Sequence, residues 1–166
     1  MGSGPSVRRV RTPREFERFG ALAAEYEASL PPHLRHADLA GELDRIEHGG
    51  AAGDAAFMAG PEGEEGATVA AVALDDATAV VKKLFVRAAP RRRGYARALM
   101  EAAIAWCRDA GFRRVVLDTQ RDDLGEAYAL YRSLGFRECA PYGPVDYANP
   151  TYMEKELADD KKFKKQ

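Results

Sequence analysis

Arg91, Arg92, Arg93 and Gly94 stand directly before a helix-forming run in "APRRRGYARALMEAAIAWCRDAGF". The first turn of a helix carries N–H groups without acceptors and a partial positive charge, so it favours acids or small capping side chains. Three arginines oppose that field, and no Ser, Thr, Asp or Asn is there to cap the helix. The arrangement becomes favourable once a strongly anionic group occupies the turn. A phosphate or pyrophosphate would accept hydrogen bonds from the backbone N–H groups of Arg92 through Arg97 and neutralise the guanidiniums. Gly94 allows close backbone approach and Ala96 keeps the following position small, with Tyr95 between them. Charge-assisted bonds of this kind contribute about 1.5–3 kcal/mol each. A solvated basic turn or a nucleic-acid contact would use the same residue types. Neither G-x-x-x-x-G-K-[ST] nor G-x-G-x-x-G occurs, which disfavours the two common nucleotide loops.

Other residues with chemistry are fewer. Tyr128 and Tyr131 fall on one face of "DDLGEAYALYRSLGF" together with Leu124 and Ala127, as either core packing or cavity lining. Asp118 ends the apolar run "VVLD", as a proton acceptor or a strand-end hydrogen-bonder; Glu25, Glu42 and Tyr147 are weaker candidates for the same proton. Tyr142, Tyr147 and Tyr152 punctuate "APYGPVDYANPTY" and either line a pocket or lie on a surface loop. Cys107 and Cys139 sit in apolar patterns and read as buried thiols. His33, His36 and His48 have no metal-ligand spacing, so no metal is expected. The net charge of −1 argues against wholesale nucleic-acid or membrane binding, although five arginines fall between Arg87 and Arg97. The opening "MGSGPS" lacks a signal-peptide core and no apolar run spans a bilayer, so a cytoplasmic location is expected.

The elements that must hold these residues follow from periodicity. A chain of 166 residues accommodates one domain, expected over 7–157 between a flexible N-terminus (1–6) and a flexible charged tail (158–166). "VRRV" is a short strand. Thr12, Pro13 and Glu15 then provide a capping box for a helix carrying Phe16, Phe19 and Leu22. A weaker helix with Leu39, Leu43 and Ile46 follows Pro31-Pro32. "DAAFMAG", "GATVAAVALDD" and "ATAVVKKLFV" read as an antiparallel meander. A helix from about Gly94 to Ala110, with Gly111 closing it, links the third of these strands to "FRRVVLDT". That crossover makes the two strands parallel. Asp123 and Glu126 are expected to form the capping box of the last helix, before two strands, "FRECAPYG" and "TYMEKEL". The result is a mixed α/β domain, with ligands expected beyond the carboxyl ends of the parallel pair.

From about Val80 to Phe136 the chain resembles the GNAT superfamily of acyl-CoA-dependent N-acyltransferases. Arg91, Gly94 and Ala96 match the family's Q/R-x-x-G-x-G/A pyrophosphate loop, and Leu130, Tyr131, Gly135 and Phe136 match its "LYxxxGF" ending. The resemblance implies a central, mostly antiparallel sheet of about seven strands with a splayed parallel pair, flanked by four helices. It implies acetyl-CoA as co-substrate, held by the loop and helix start Arg91–Arg97, by Leu84, Phe85 and Val86, and by Leu124, Ala127 and Tyr128. It also implies Tyr131 as the acid that protonates the departing thiolate, a backbone N–H near Val86 for the oxyanion, and an amine acceptor, in a monomer or homodimer. Two positions depart from the family pattern: Leu124 stands where Asn is frequent, and Val80 where Glu often serves as base. A CoA-binding domain without catalysis therefore stays open, as do a longer acyl donor and a protein amine as acceptor.

Overall fold

A computed structural model describes residues 6–35, 38–48, 54–87, 94–145 and 147–157. The expected flexible ends lie almost wholly outside those residues, as do His36 and the Arg91–Arg93 triplet. Strand β1 (Val7–Arg9) leads into helix α1 (Pro13–Ser29), whose capping box forms as expected: Thr12 Oγ1 accepts from the Glu15 N–H, and Glu15 Oε1 accepts from the Thr12 N–H. A 3-10 turn (Pro32–Leu34) separates α1 from α2 (Leu39–His48). The meander follows as β2 (Ala55–Ala59), β3 (Ala67–Ala73) and β4 (Thr78–Val86). Then come α3 (Tyr95–Asp109), β5 (Arg114–Thr119), α4 (Gly125–Ser133), β6 (Arg137–Glu138) and β7 (Thr151–Glu156).

The seven strands form one sheet in the order β1-β2-β3-β4-β5-β7-β6. Every neighbouring pair is antiparallel except β4–β5, which the α3 crossover makes parallel. The two-residue period of β2 divides the core between the faces. Ala55, Phe57 and Ala59 meet the stripe Leu99, Met100, Ala103, Ile104 and Cys107 of α3, while Ala56 and Met58 meet Phe19, Leu22 and Ile46 of α1 and α2. Alpha-helix α4 packs on the α3 face through Tyr131 and its neighbours. Gly111 (φ 97°) closes α3, where the Phe112 N–H bonds to the Cys107 carbonyl.

One expected cap does not form. Helix α4 begins at Gly125 behind Leu124, with no side-chain cap, so Asp123 and Glu126 do not make a box. The Gln120 amide oxygen instead accepts from the N–H groups of Asp122 and Asp123, and the Asp123 carboxylate bonds His33 Nε2 at 3.0 Å.

The feature that matters most for a site is the end of the parallel pairing. Strands β4 and β5 pair only at Thr78–Arg114, Ala79–Val115 and Val80–Val116, although β4 runs on to Val86 and β5 to Thr119. Beyond Val80 the two strands diverge. Over the same stretch β4 bulges against β3, with Thr68 opposite Phe85 but Ala70 opposite Lys82, so β4 carries one extra residue. Lys83 takes up that residue in the left-handed region (φ 61°), an unfavourable conformation for a side chain with a Cβ. The Lys83 carbonyl accepts from Thr68 Oγ1 at 2.7 Å, and its buried ammonium lies 2.6 Å from Glu42 and 3.6 Å from Glu27. Glu42 also takes Lys82 at 2.5 Å. Helices α1 and α2 are thus tied by charge to the bulge.

Burial alone would raise the Glu42 carboxyl, but the Lys83 and Lys82 ammoniums outweigh it and hold the group at about 2. A depressed carboxyl contributes stability above its unfolded value and loses it as pH falls through the folded value. Glu42→Gln is therefore expected to cost about 3–5 kcal/mol at neutral pH. The deficit should shrink between about pH 4.5 and 2, where wild type itself takes up the proton. Urea denaturation of both proteins at pH 7 and near pH 2 measures this; an equal deficit at the two would remove charge as the cause.

Candidate active site

A cavity of about 170 Å³ occupies the gap between β4 and β5. Val81, Lys82, Lys83 and Leu84 form its β4 wall, and Asp118 and Thr119 its β5 wall. Helix α4 and the residue before it add Leu124, Ala127 and Tyr131. The opposite side is closed by Tyr26 of α1, by Leu30 and Leu34 at the 3-10 turn, and by Tyr147 from the β6–β7 loop. A larger, open groove of about 700 Å³ lies along the first turns of α1, but its Arg8 and Arg18 are matched by Glu65 and it does not reach the gap.

Tyr131 is buried, with its ring edge-on to Phe136 at 6.0 Å, and borders the cavity. Burial first, then the charges of Tyr26 and Asp118, push its phenol well above the ordinary tyrosine range. Tyr131 therefore stays protonated at neutral pH and carries a proton on a residue of the cavity wall. Tyr26 lies with its ring 5.4 Å from Phe85, and burial, Glu27 and Asp118 push its phenol up to about 12.

The backbone of β4 adds a donor. The Arg87 N–H bonds the Gly66 carbonyl of β3, and Val86 is the next residue, opposite Ala67. Alternation along an antiparallel pair turns the Val86 N–H away from β3, toward the side where β5 has already diverged. A backbone donor directed there can meet a developing oxyanion.

Of the four candidate proton acceptors, two are excluded by their partners. Glu25 makes a bidentate surface pair with Arg87, and Glu42 is held by Lys82 and Lys83. Asp118 is half-buried on the cavity wall, where one oxygen accepts from Tyr142 at 2.5 Å and the other from Tyr147 at 2.8 Å. Burial and the Asp118 charge keep both phenols far above their ordinary range, which makes Tyr147 a poor base. The loop tyrosines are therefore not a simple surface decoration. Tyr142 and Tyr147 turn inward onto Asp118, while Tyr152 donates to the Gly143 carbonyl and stacks edge-on with Tyr142 at 5.1 Å.

Leu84, Leu124, Ala127 and Tyr131 thus meet in one cavity. Tyr128 does not join them: its hydroxyl donates to Glu138 at 2.6 Å and Arg121 lies over its ring. Phe85 packs on Tyr26. Val86 takes part through its backbone, as described. Arg97 donates to Ser133 Oγ at 2.7 Å, linking α3 to α4. Gly94 is the N-cap of α3 in the left-handed region (φ 81°), with no side-chain cap, so the first N–H groups of α3, including those of Tyr95 and Ala96, have no intrahelical acceptor. Cys107 is buried and Cys139 partly so, both unbridged. Val80 is buried in the sheet and offers no base. Among the described residues no group of His, Cys, Asp and Glu is arranged to hold a metal, and no helix is long and apolar enough to cross a membrane.

Tyr26, Leu30, Leu34, Lys82 and Lys83 were not singled out from the chain. Two signals were available. Tyr26 continues the Phe19–Leu22 stripe of α1, and consecutive lysines inside an apolar strand require that one of them be buried.

Comparison with known proteins agrees with this geometry. Residues 21–136 match the model of the acetyltransferase (GNAT) family. Human N-acetyltransferase 8B is 33% identical over 126 residues, covering 70% of this chain and 55% of the human protein. The chain thus spans about half the length of that relative. An acetyltransferase of the GNAT family from Staphylococcus aureus superposes with a TM-score of 0.74 at 20% identity, over 92% of this chain and all of the other. The protein yncA from Salmonella typhimurium, solved with its cofactor acetyl-CoA, superposes with a TM-score of 0.73 at 16% identity, over 95% of this chain and 96% of its own. The chain belongs to the acetyltransferase (GNAT) family.

Proposed function

We propose that this domain transfers an acetyl group from acetyl-CoA to a primary amine of a small molecule or amino-acid derivative, by direct attack. The observation that carries the reading is the β4–β5 gap, which puts a buried, protonated Tyr131 and a β4 backbone donor on the same opening. The uncapped, glycine-led start of α3 fits a pyrophosphate. Leu84, Phe85, Val86, Leu124 and Ala127 would border the acyl and pantetheine groups. The name of the human relative supports a nitrogen acceptor, and the acetyl-CoA of yncA supports the donor.

Acetyl-CoA supplies the thioester whose carbonyl the amine attacks, forming C–N and breaking C–S. The amine loses one proton before attack and a second after it. The Tyr131 hydroxyl gives its proton to the departing thiolate and recovers one from the adduct's nitrogen, so one proton is released overall. The Val86 N–H receives the oxyanion. Neither cysteine needs to take part; the Cys107 thiol is pushed up to about 12 by burial and is a poor nucleophile. Two unbridged cysteines also suit a cytoplasmic setting.

Calorimetric titration with acetyl-CoA, then thiol release with a panel of primary amines and mass spectrometry of products, tests this. Binding and amine-dependent release are expected. Absence of acetyl-CoA binding overturns the reading; binding without turnover on any amine would make the domain a CoA sensor instead.

A further inference from the structure

The cavity holds one charge that the acetyl-transfer reading does not use. Lys82 and Lys83 are matched by Glu42 and Glu27, so the cations on the β4 wall are already neutralised. Asp118 on the facing wall is not. Its two oxygens accept from Tyr142 and Tyr147, which are neutral donors, and among the described residues no cationic side chain pairs with it. Each phenol uses one lone pair, and a carboxylate offers about four acceptor sites, so room for further donors remains. An ionised carboxylate drawn partly out of water is costly until a cation is supplied. Its field is felt across the cavity, because Asp118 helps to raise the phenols of both Tyr26 and Tyr131. The rest of the acceptor side is Tyr26 with buried Leu30 and Leu34.

We propose that Asp118, steadied by Tyr142 and Tyr147, is the subsite for the acceptor's ammonium, and that the acceptor is a primary amine with an apolar arm lying against Tyr26, Leu30 and Leu34. This rests on the acetyltransferase reading and narrows its substrate class. Tyr142 and Tyr147 each steady one oxygen of a carboxylate that lines the same cavity as Tyr131. Lys82 and Lys83 do not repel the cation, because Glu42 and Glu27 already hold them.

The test uses the protein saturated with CoA, titrated calorimetrically with 2-phenylethylamine, its neutral counterpart 2-phenylethanol, and ethylamine. Wild type is expected to favour 2-phenylethylamine at least about tenfold over each of the other two, because one lacks the charge and the other the arm. Asp118→Asn should lose the preference over the alcohol and keep its CoA affinity. Equal affinity for amine and alcohol, a preference that survives in Asp118→Asn, or no binding of 2-phenylethylamine at millimolar concentration overturns the subsite. Ethylamine binding as tightly as 2-phenylethylamine overturns the apolar arm. The wild-type comparison stands even if the variant fails to fold. Loss of CoA binding by wild type would instead overturn the acetyltransferase reading, so the two failures are distinguishable.

Discussion

Tyr131→Phe is expected to lower kcat by about 10²–10⁴-fold, the usual contribution of a positioned acid, while acetyl-CoA affinity changes little. The ring keeps its edge-on contact with Phe136 and its place among the buried residues of the α3 face, so the fold is retained. Only the hydroxyl of this cavity-lining residue is lost. The pH profile separates chemistry from packing. The phenol is active while protonated, and burial with the Tyr26 and Asp118 charges raises its pKa above the ordinary tyrosine value. Activity should therefore persist through the region near pH 10 where a free tyrosine ionises, and decline only above it. That high-pH limb should vanish in Tyr131→Phe. Tyr26→Phe is the comparison for kcat under saturating acceptor: its phenol is also raised but has no assigned proton to give, and its ring, proposed to contact the acceptor, is kept. Unchanged kcat in Tyr131→Phe, under saturating substrates with chemistry rate-limiting, would return Tyr131 to the core.

The same tyrosine shows what was readable along the chain. Helical spacing put Leu124, Ala127, Tyr128 and Tyr131 on one face, but it could not divide that face. Leu124, Ala127 and Tyr131 look into the gap, whereas Tyr128 is taken by Glu138 and Arg121, partners that only the folded sheet brings near. Local signals held where their causes were local. The Thr12–Glu15 box needs only four consecutive residues, and the Gly111 stop needs only its own φ. The Asp123 cap did not form because a distant partner, His33, took the carboxylate, while the nearby Gln120 amide oxygen turned the chain just before the helix.

The site's acceptor side was least legible for the same reason. Alternation along β4 requires one of Lys82 and Lys83 to be buried, but the bulge and the two carboxylates from separate helices that hold them are long-range features. Asp118 was visible at a strand end, but its hydrogen-bond partners Tyr142 and Tyr147 lie more than twenty residues onward. The splay itself has no one-dimensional signature. It arises where pairing between β4 and β5 stops after Val80, a contact across more than thirty residues of chain.

Gly94→Pro is expected to abolish acetyl-CoA binding. Gly94 caps α3 at φ 81°, which proline cannot adopt, and proline also removes the N–H from a turn proposed to hold a pyrophosphate. Gly94→Ala separates these effects, since it keeps the N–H and pays only for the left-handed conformation. That costs about 1–2 kcal/mol, or roughly five- to thirtyfold if it falls wholly on the bound state. The helix survives either change, because Leu99, Met100 and Ala103 anchor it to the sheet well beyond its first turn. Arg92→Ala and Arg93→Ala should weaken binding less than Gly94→Pro, because salt and water screen side-chain charges more readily than a backbone N–H acting at contact. The expected order of affinity is wild type, then the arginine variants and Gly94→Ala, then Gly94→Pro with none. Calorimetry gives the affinities, and urea denaturation confirms that each variant is folded. Equal affinity in wild type and a folded Gly94→Pro would move the pyrophosphate away from this turn. It would also remove the reason proposed for placing three arginines at the head of an uncapped helix.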